Sequence, residues 1–142
     1  MSAARKPEPL SVLIVGCGAI AGGYDERRPP TAKKGGGVFS HAGAYRAHGG
    51  FRLAACVEPD AARRRAFMAR WKVTRGFASL ADCRRSGLAF DVASVCVPTA
   101  LHEATLTALL AMPVRAVFAE KPLTDDVAAS RRIVRAHAKA RR

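Results

Sequence analysis

No part of this chain approaches the ~20 consecutive apolar residues that a membrane span requires. The first nine residues are polar, carry two prolines and contain no signal-peptide hydrophobic region. A disordered tail over residues 1–9 and a cytoplasmic location are expected, with no membrane partner. Cysteine is scarce: the four, Cys17, Cys56, Cys83 and Cys96, are widely spaced and form no C-x-x-C. Three of them fall in or beside predicted buried elements, so they read as small core residues of a reducing compartment and not as a disulfide framework. The histidines His41, His48, His102 and His137 add no zinc-ligand spacing, and no metal is expected. Aromatics are few, at 6%, and acidic residues are outnumbered by basic ones, 11 to 24, leaving a net charge of +13. That excess invites a nucleic-acid reading. Its distribution argues against one: Arg63-Arg64-Arg65, Arg84-Arg85, Arg131-Arg132 and Arg141-Arg142 fall on polar faces of predicted helices. Single-stranded nucleic acid needs aromatic platforms, and almost none interleave with these arginines.

What the chain does contain is one domain's worth of globular sequence. Its 142 residues are 49% hydrophobic, enough to bury roughly two thirds of the unfolded surface and too few for a second full domain. The organising stretch is Ser11 to Gly23. Residues 12–15 are a continuous apolar run, three of the four β-branched, the pattern of a parallel strand covered on both faces. Gly16, Gly18 and Ala21 follow as G-x-G-x-x-A. In that fingerprint the first glycine permits a tight turn, the second lets a pyrophosphate approach the backbone, and the third small residue keeps helix and strand close. A diphosphate there would meet free backbone N–H groups at the positive end of a helix dipole. A glycine-rich turn without ligand has the same local sequence, so the surrounding elements decide between the two.

Residues 24–38 break the pattern, with no periodicity and many breakers, and read as an insertion or mobile loop. Helical character resumes over 40–48, with Ser40 as cap and Gly49-Gly50 as stop. Phe51–Val57 is the second strand, and Asp60 caps a helix over Ala61–Trp71. Residues 73–77 suggest a third strand, and Ser79 to Asp82 a capping box before a short helix. Residues 91–97 form the fourth strand, stopped by Pro98. Thr99 is expected to cap a helix whose Leu101, Ala104, Thr105, Ala108 and Leu109 share one face. Val114–Ala119 is the fifth strand, and Thr124, Asp125 and Asp126 open a last helix ending in arginines. Alternating strands and helices without internal repeats predict an α/β fold, a doubly wound parallel sheet of Rossmann type in the order 3-2-1-4-5 over residues 10–142. The carboxyl ends of its strands would gather the glycine turn, Glu58, Pro98-Thr99 and Glu120-Lys121-Pro122.

With these pieces in order, almost the whole chain resembles the amino-terminal half of the Gfo/Idh/MocA family, the glucose-fructose oxidoreductase and inositol dehydrogenase relatives. The residues that carry it are the glycine turn, Val57-Glu58-Pro59-Asp60, Pro98 to His102, and above all Ala119-Glu120-Lys121-Pro122-Leu123. The resemblance implies NAD(P)-dependent hydride transfer to or from a sugar- or polyol-like substrate. Gly16, Gly18, Ala19, Ile20 and Ala21 would hold the cofactor pyrophosphate and Glu58 the adenosine ribose. Pro98 and Thr99 would line the nicotinamide side, with His102 and Glu120 also in the cofactor-binding set. Lys121 would position or protonate the substrate oxygen. A carboxylate at the end of the second strand favours NAD, with NADP admitted by Arg63 to Arg65 beside it. Read without the family, Glu58 is another helix-entry acid, Lys121 a surface cation and His102 a helix N-terminal residue. Glu58 lies well beyond the ~20 residues that typically separate it from the glycines. The chain stops at Arg142, where family members continue into a carboxyl-terminal α/β domain carrying the substrate pocket, the lysine's partner carboxylate and histidine, and most of the oligomer interface. The expectation is a fragment, a truncated product or a separately encoded half that binds dinucleotide and is inactive alone. The alternatives are a non-catalytic dinucleotide-binding remnant and a basic nucleic-acid-associated protein.

Overall fold

The computed structural model of the chain describes residues 7–27 and 37–140. Strands β1 (Leu10–Val15), β2 (Phe51–Val57), β3 (Arg75–Phe77), β4 (Phe90–Val95) and β5 (Val114–Ala119) form one sheet in the order β3-β2-β1-β4-β5. Every pairing is parallel, as predicted. Helices α1 (His41–His48), α2 (Ala61–Trp71), α3 (Leu80–Arg85), α4 (His102–Leu109) and α5 (Val127–Lys139) cover it. Among the described residues, no helix is long and apolar enough to cross a membrane.

The apolar run of β1 is explained by helices on both faces. Leu13 and Val15 pack in one core with Leu106, Leu109 and Ile133 of α4 and α5. Val12 and Ile14 point the other way, into a second core with Ala42, Phe67 and Trp71 of α1 and α2. Burying side chains of this size stabilises by roughly 1.5–3 kcal/mol each, so the central strand anchors the sheet. The helix starts are capped as the sequence suggests. Ser40, Asp60, Ser79 and Asp126 each accept a backbone N–H three residues on. Gly49, at φ 74°, ends α1 in the left-handed conformation.

Two expectations are corrected. Thr99 makes no side-chain cap: a 3-10 turn (Thr99–Leu101) comes first and α4 begins at His102. Its three-residue repeat rotates the helix relative to the expected stripe. His102, Thr105, Leu106 and Leu109 are buried, while Leu101 is 52% exposed.

The second concerns the segment after the glycine turn, which does not run directly into a regular helix. Turns lead to a 3-10 turn (Gly23–Asp25), and residues 28–36 of the expected insertion, like 1–6 of the expected tail, lie outside the described residues. The N–H groups of His41 and Ala42 donate to the carbonyls of Ile20 and Ala21 at 3.0 and 2.8 Å. In an unbroken helix those carbonyls would take the N–H groups of residues 24 and 25. The start of α1 is therefore tied by two main-chain bonds to the residues of the glycine turn. Asp25, read as part of a patternless loop, is buried and ties off the insertion. Its carboxylate accepts the Phe39 N–H at 3.0 Å and the Ser40 hydroxyl at 2.6 Å. A buried carboxylate needs such partners.

Candidate functional site

The glycine turn is sewn to its neighbours by main-chain bonds at the carboxyl ends of the strands. Gly16 N–H donates to Val57 O at 2.8 Å, Cys96 N–H to Val15 O at 2.7 Å, and Glu120 N–H to Val95 O at 3.1 Å. The direction of strand order reverses between β1 and β4, where parallel sheets open a crevice for ligands. A cavity of about 680 Å³ occupies it. Of the predicted site, Gly16, Gly18, Ala19, Ile20, Glu58 and Pro98 line that cavity. Arg63, expected beside Glu58, also lines it, as do Tyr24, Leu80 and Leu101, which were not anticipated from sequence.

The glycines have different roles. Gly16 sits at φ 88°, and a Cβ there would lie 2.8 Å from the Cys96 carbonyl oxygen, so both conformation and space demand glycine. A Cβ on Gly18 would meet nothing within 4 Å. It would project into open space, leaving a cradle that fits a diphosphate backed onto main chain. Ala21 is fully buried in the core and does not line the cavity. Within the turn, a helix comes close at Gly22, where a Cβ would run into the Trp71 indole and Phe67 ring of α2. The glycine pair Gly22-Gly23 was the available signal, and the six-residue fingerprint stops one position short of it.

Glu58 turns inward. It is 5% exposed, with Oε2 accepting the Cys17 N–H at 3.0 Å and Oε1 accepting the Asp60 N–H at 3.0 Å. It thus clamps the glycine turn to the end of β2. A carboxylate offers about four acceptor positions, so two remain for hydroxyls at the cavity wall. Arg63 Nη1 stands 3.6 Å from Oε1 on a side chain 57% exposed, and Arg64 donates to the Glu58 carbonyl.

The remaining predicted residues do not line the cavity. Thr99 heads the 3-10 turn. His102 is 1% exposed, with Nε2 2.9 Å from Val97 O and Nδ1 3.1 Å from Leu123 O. Its ring is held between the segments following β4 and β5 and presents no free nitrogen to a cofactor, because both are aimed at carbonyls. Glu120 is also engaged elsewhere: its Oε1 lies 2.8 Å from His41 Nε2. The His41 ring holds the Glu120 carboxyl below the usual carboxylate range, outweighing the opposing effect of burial. Lys121, joined to Pro122 by a cis bond, is exposed at the same edge of the sheet.

His41 belongs to a polar cluster that sequence reasoning missed. Nδ1 is 3.1 Å from Ser94 Oγ, Ser94 Oγ is 2.7 Å from the Tyr45 hydroxyl, and Phe118 stacks on the imidazole at 4.8 Å. Ser94, His41 and Glu120 have the composition of an acyl-transfer triad. Ser94 is fully buried, however, and no substrate carbonyl can reach it. The one sequence signal was a hydroxyl within the apolar run of residues 92–97.

All four cysteines are buried and unpaired, as expected. The Cys17 thiol is pushed up by its hydrogen bond with Cys56 and by burial, and burial pushes Cys96 up to about 12. Both stay neutral beneath the glycine turn. Among the described residues, no cluster of His, Cys, Asp or Glu is arranged to hold a metal.

The model of the GFO_IDH_MocA oxidoreductase family, NAD-binding Rossmann fold, matches residues 10–142. No curated protein sequence matches the chain. Among solved structures, the WlbA dehydrogenase from Chromobacterium violaceum, crystallised with NADH and UDP-GlcNAcA, is 23% identical at a TM-score of 0.75. The match covers 100% of this chain and 36% of that one. The myo-inositol 2-dehydrogenase from Lactobacillus plantarum is 18% identical at 0.68, covering 94% of this chain and 34% of the other. A 3-ketoreductase from Actinomadura kijaniata, crystallised with NADP, is 23% identical at 0.65, covering 94% and 35%. The chain thus spans about a third of the length of each. With a family match running from the first strand to Arg142 and a glycine cradle at the sheet's switch point, this chain belongs to the Gfo/Idh/MocA oxidoreductases, in their NAD-binding Rossmann domain.

Proposed function

We propose that this domain holds a nicotinamide dinucleotide across the crevice between β1 and β4 for hydride transfer to or from a sugar- or polyol-like substrate. The observation that carries the reading is the open space at Gly18 inside a cavity that Glu58 and Pro98 also line. When bound, the nicotinamide supplies the hydride acceptor or donor. The chain's own residues bind and orient. Backbone N–H groups of the glycine turn face the diphosphate. The two free acceptor positions of Glu58 take ribose hydroxyls, and its charge disfavours a 2′-phosphate, so NAD is preferred over NADP. Arg63, exposed beside that carboxylate, softens the preference. Lys121 would stabilise negative charge on a substrate oxygen or hand it a proton.

Lys121 and Pro122 are exposed, and nothing among the described residues walls a substrate against them. Holding a substrate in reacting geometry can supply ~7–11 kcal/mol of barrier reduction, and an open edge cannot do that. We therefore assign turnover to a composite site, with a carboxyl-terminal substrate domain completing the wall. The test is to incubate the purified chain with NAD and a panel of polyols and sugars, following NADH absorbance. No appreciable rate is expected from the chain by itself. With a carboxyl-terminal substrate domain supplied, a rate should appear and Lys121→Ala should remove most of it with NAD affinity nearly intact. A chain that reduces NAD unaided, and loses that rate in Lys121→Ala, would overturn the composite site.

A further inference from the structure

The segment from Glu120 to Leu123 is held at both ends by histidine rings from different helices. His41 of α1 bonds the Glu120 side chain at 2.8 Å, and His102 of α4 lies 3.1 Å from the Leu123 carbonyl. Lys121 lies between these ties, and its ammonium group has no hydrogen bond or ion pair among the described residues, although a carboxylate is its immediate neighbour in sequence. His41 acts most strongly on the Glu120 carboxyl, and the Lys121 backbone N–H and then the lysine charge add smaller effects in the same direction. Glu120 is thus shared between a bond it makes and an ion pair it does not make.

The hydrogen-bond chain behind His41 explains why the first wins. A carboxylate only accepts, so His41 Nε2 carries a proton toward Glu120. In the neutral ring, Nδ1 then accepts from the Ser94 hydroxyl, and Ser94 Oγ accepts from Tyr45. Each donor has an acceptor, Phe118 stacks against the imidazole, and His41 is only 6% exposed. The ring is therefore locked at both nitrogens, a pre-oriented donor that a flexible ammonium on an exposed side chain does not match.

We propose that His41 is a positioning residue for Lys121: by holding the Glu120 carboxylate on its ring, it keeps that carboxylate off the adjacent ammonium and leaves the amine free for substrate. The proposal rests on the reading of Lys121 as the substrate-facing group. His41 is the first residue of α1, so this device ties that helix to the segment carrying Lys121.

The test reads amine availability and needs neither cofactor nor substrate. The intact chain is acylated with a limiting N-hydroxysuccinimide ester, and labelling of Lys121 is followed by mass spectrometry, with Lys72 and Lys139 as internal controls. In His41→Asn, whose shorter amide cannot reach Glu120, Lys121 should label about two- to fivefold more slowly, the range expected of a newly formed surface ion pair. His41→Gln, whose longer amide presents an N–H to Glu120, should restore the rate, as should Glu120→Gln added to His41→Asn. Unchanged Lys121 labelling in a folded His41→Asn, or slowing that persists in the double variant, would overturn the proposal. If His41→Asn does not fold, Glu120→Gln decides: labelling within about twofold of wild type is expected, and a rise of about twofold or more would show that the carboxylate already pairs with Lys121 and overturn the proposal. Failure here leaves the cofactor site untouched, whereas loss of NAD binding at Gly18 bears on the functional reading alone.

Discussion

Replacing Glu58 by alanine separates two consequences that the geometry couples in one side chain. The carboxylate accepts the Cys17 N–H, which is buried, and the Asp60 N–H, which is half-buried. Removing it strands the first donor, at about 1–3 kcal/mol, while water can reach the second. For a domain of this size, that lowers Tm by roughly 3–12 °C. Binding suffers separately. Charged hydrogen bonds to ribose hydroxyls contribute about 1.5–3 kcal/mol, so NAD affinity should fall roughly ten- to hundredfold. Calorimetric melting of the free chain reads the first effect, and titration with NAD and NADP well below Tm reads the second. Glu58→Gln is the informative companion: its one carbonyl oxygen serves one N–H while its NH2 faces the other, so it should lie between wild type and alanine in Tm. An unchanged Tm in Glu58→Ala would refute the clamp. An unchanged ratio of NAD to NADP affinity would refute the ribose contact.

Gly16→Ala places a Cβ 2.8 Å from the Cys96 oxygen at φ 88°, and should destabilise by about 2–5 kcal/mol from strain and overpacking. Gly18→Ala should stay within ~0.5 kcal/mol, and equal melting of the two would contradict the division of labour between them. β5 is an edge strand whose Phe118 is 55% exposed, so the isolated chain should self-associate at high concentration; a monodisperse monomer in light scattering would refute this. Asp91 is held below the usual carboxylate range by the Ser11 N–H and by Arg115, Asp60 by the Arg63 N–H, and Glu120 by His41. Because these folded values lie below the unfolded ones, their stabilisation is complete above about pH 5 and is lost as pH falls through the folded values. The denaturant midpoint should therefore drop on the acid side, and a flat profile from pH 5 to 2 would contradict those assignments.

Much of the fold was legible because local signals and tertiary packing agree. The four-residue apolar run of β1 is buried on both faces, and the Ser40, Asp60, Ser79 and Asp126 caps each act within four residues of sequence. The phase of α4 was not legible, since Pro98 permits either a direct helix start or the 3-10 turn that rotates His102 inward. Nor was the His41 cluster: its bonds to Ser94 and Glu120 span 53 and 79 residues, and no local pattern marks such a pair. Glu58 was placed at the cavity by position alone. That its carboxylate also clamps the Cys17 N–H depends on side-chain reach, which spacing does not encode. Despite the long interval between Gly18 and Glu58, α1 docks directly on the glycine turn, with His41 and Ala42 taking up the carbonyls of Ile20 and Ala21.

Gly18→Val, titrated with NADH by isothermal calorimetry, tests the placement of the dinucleotide most directly. A Cβ at this position meets no protein atom within 4 Å, so the variant should fold with unaltered circular dichroism and nearly unaltered Tm. Its side chain would fill the space assigned to the pyrophosphate. The wild-type chain is expected to give a binding isotherm and Gly18→Val none under the same conditions. Equal affinity in the two proteins would place the cofactor somewhere other than the glycine turn.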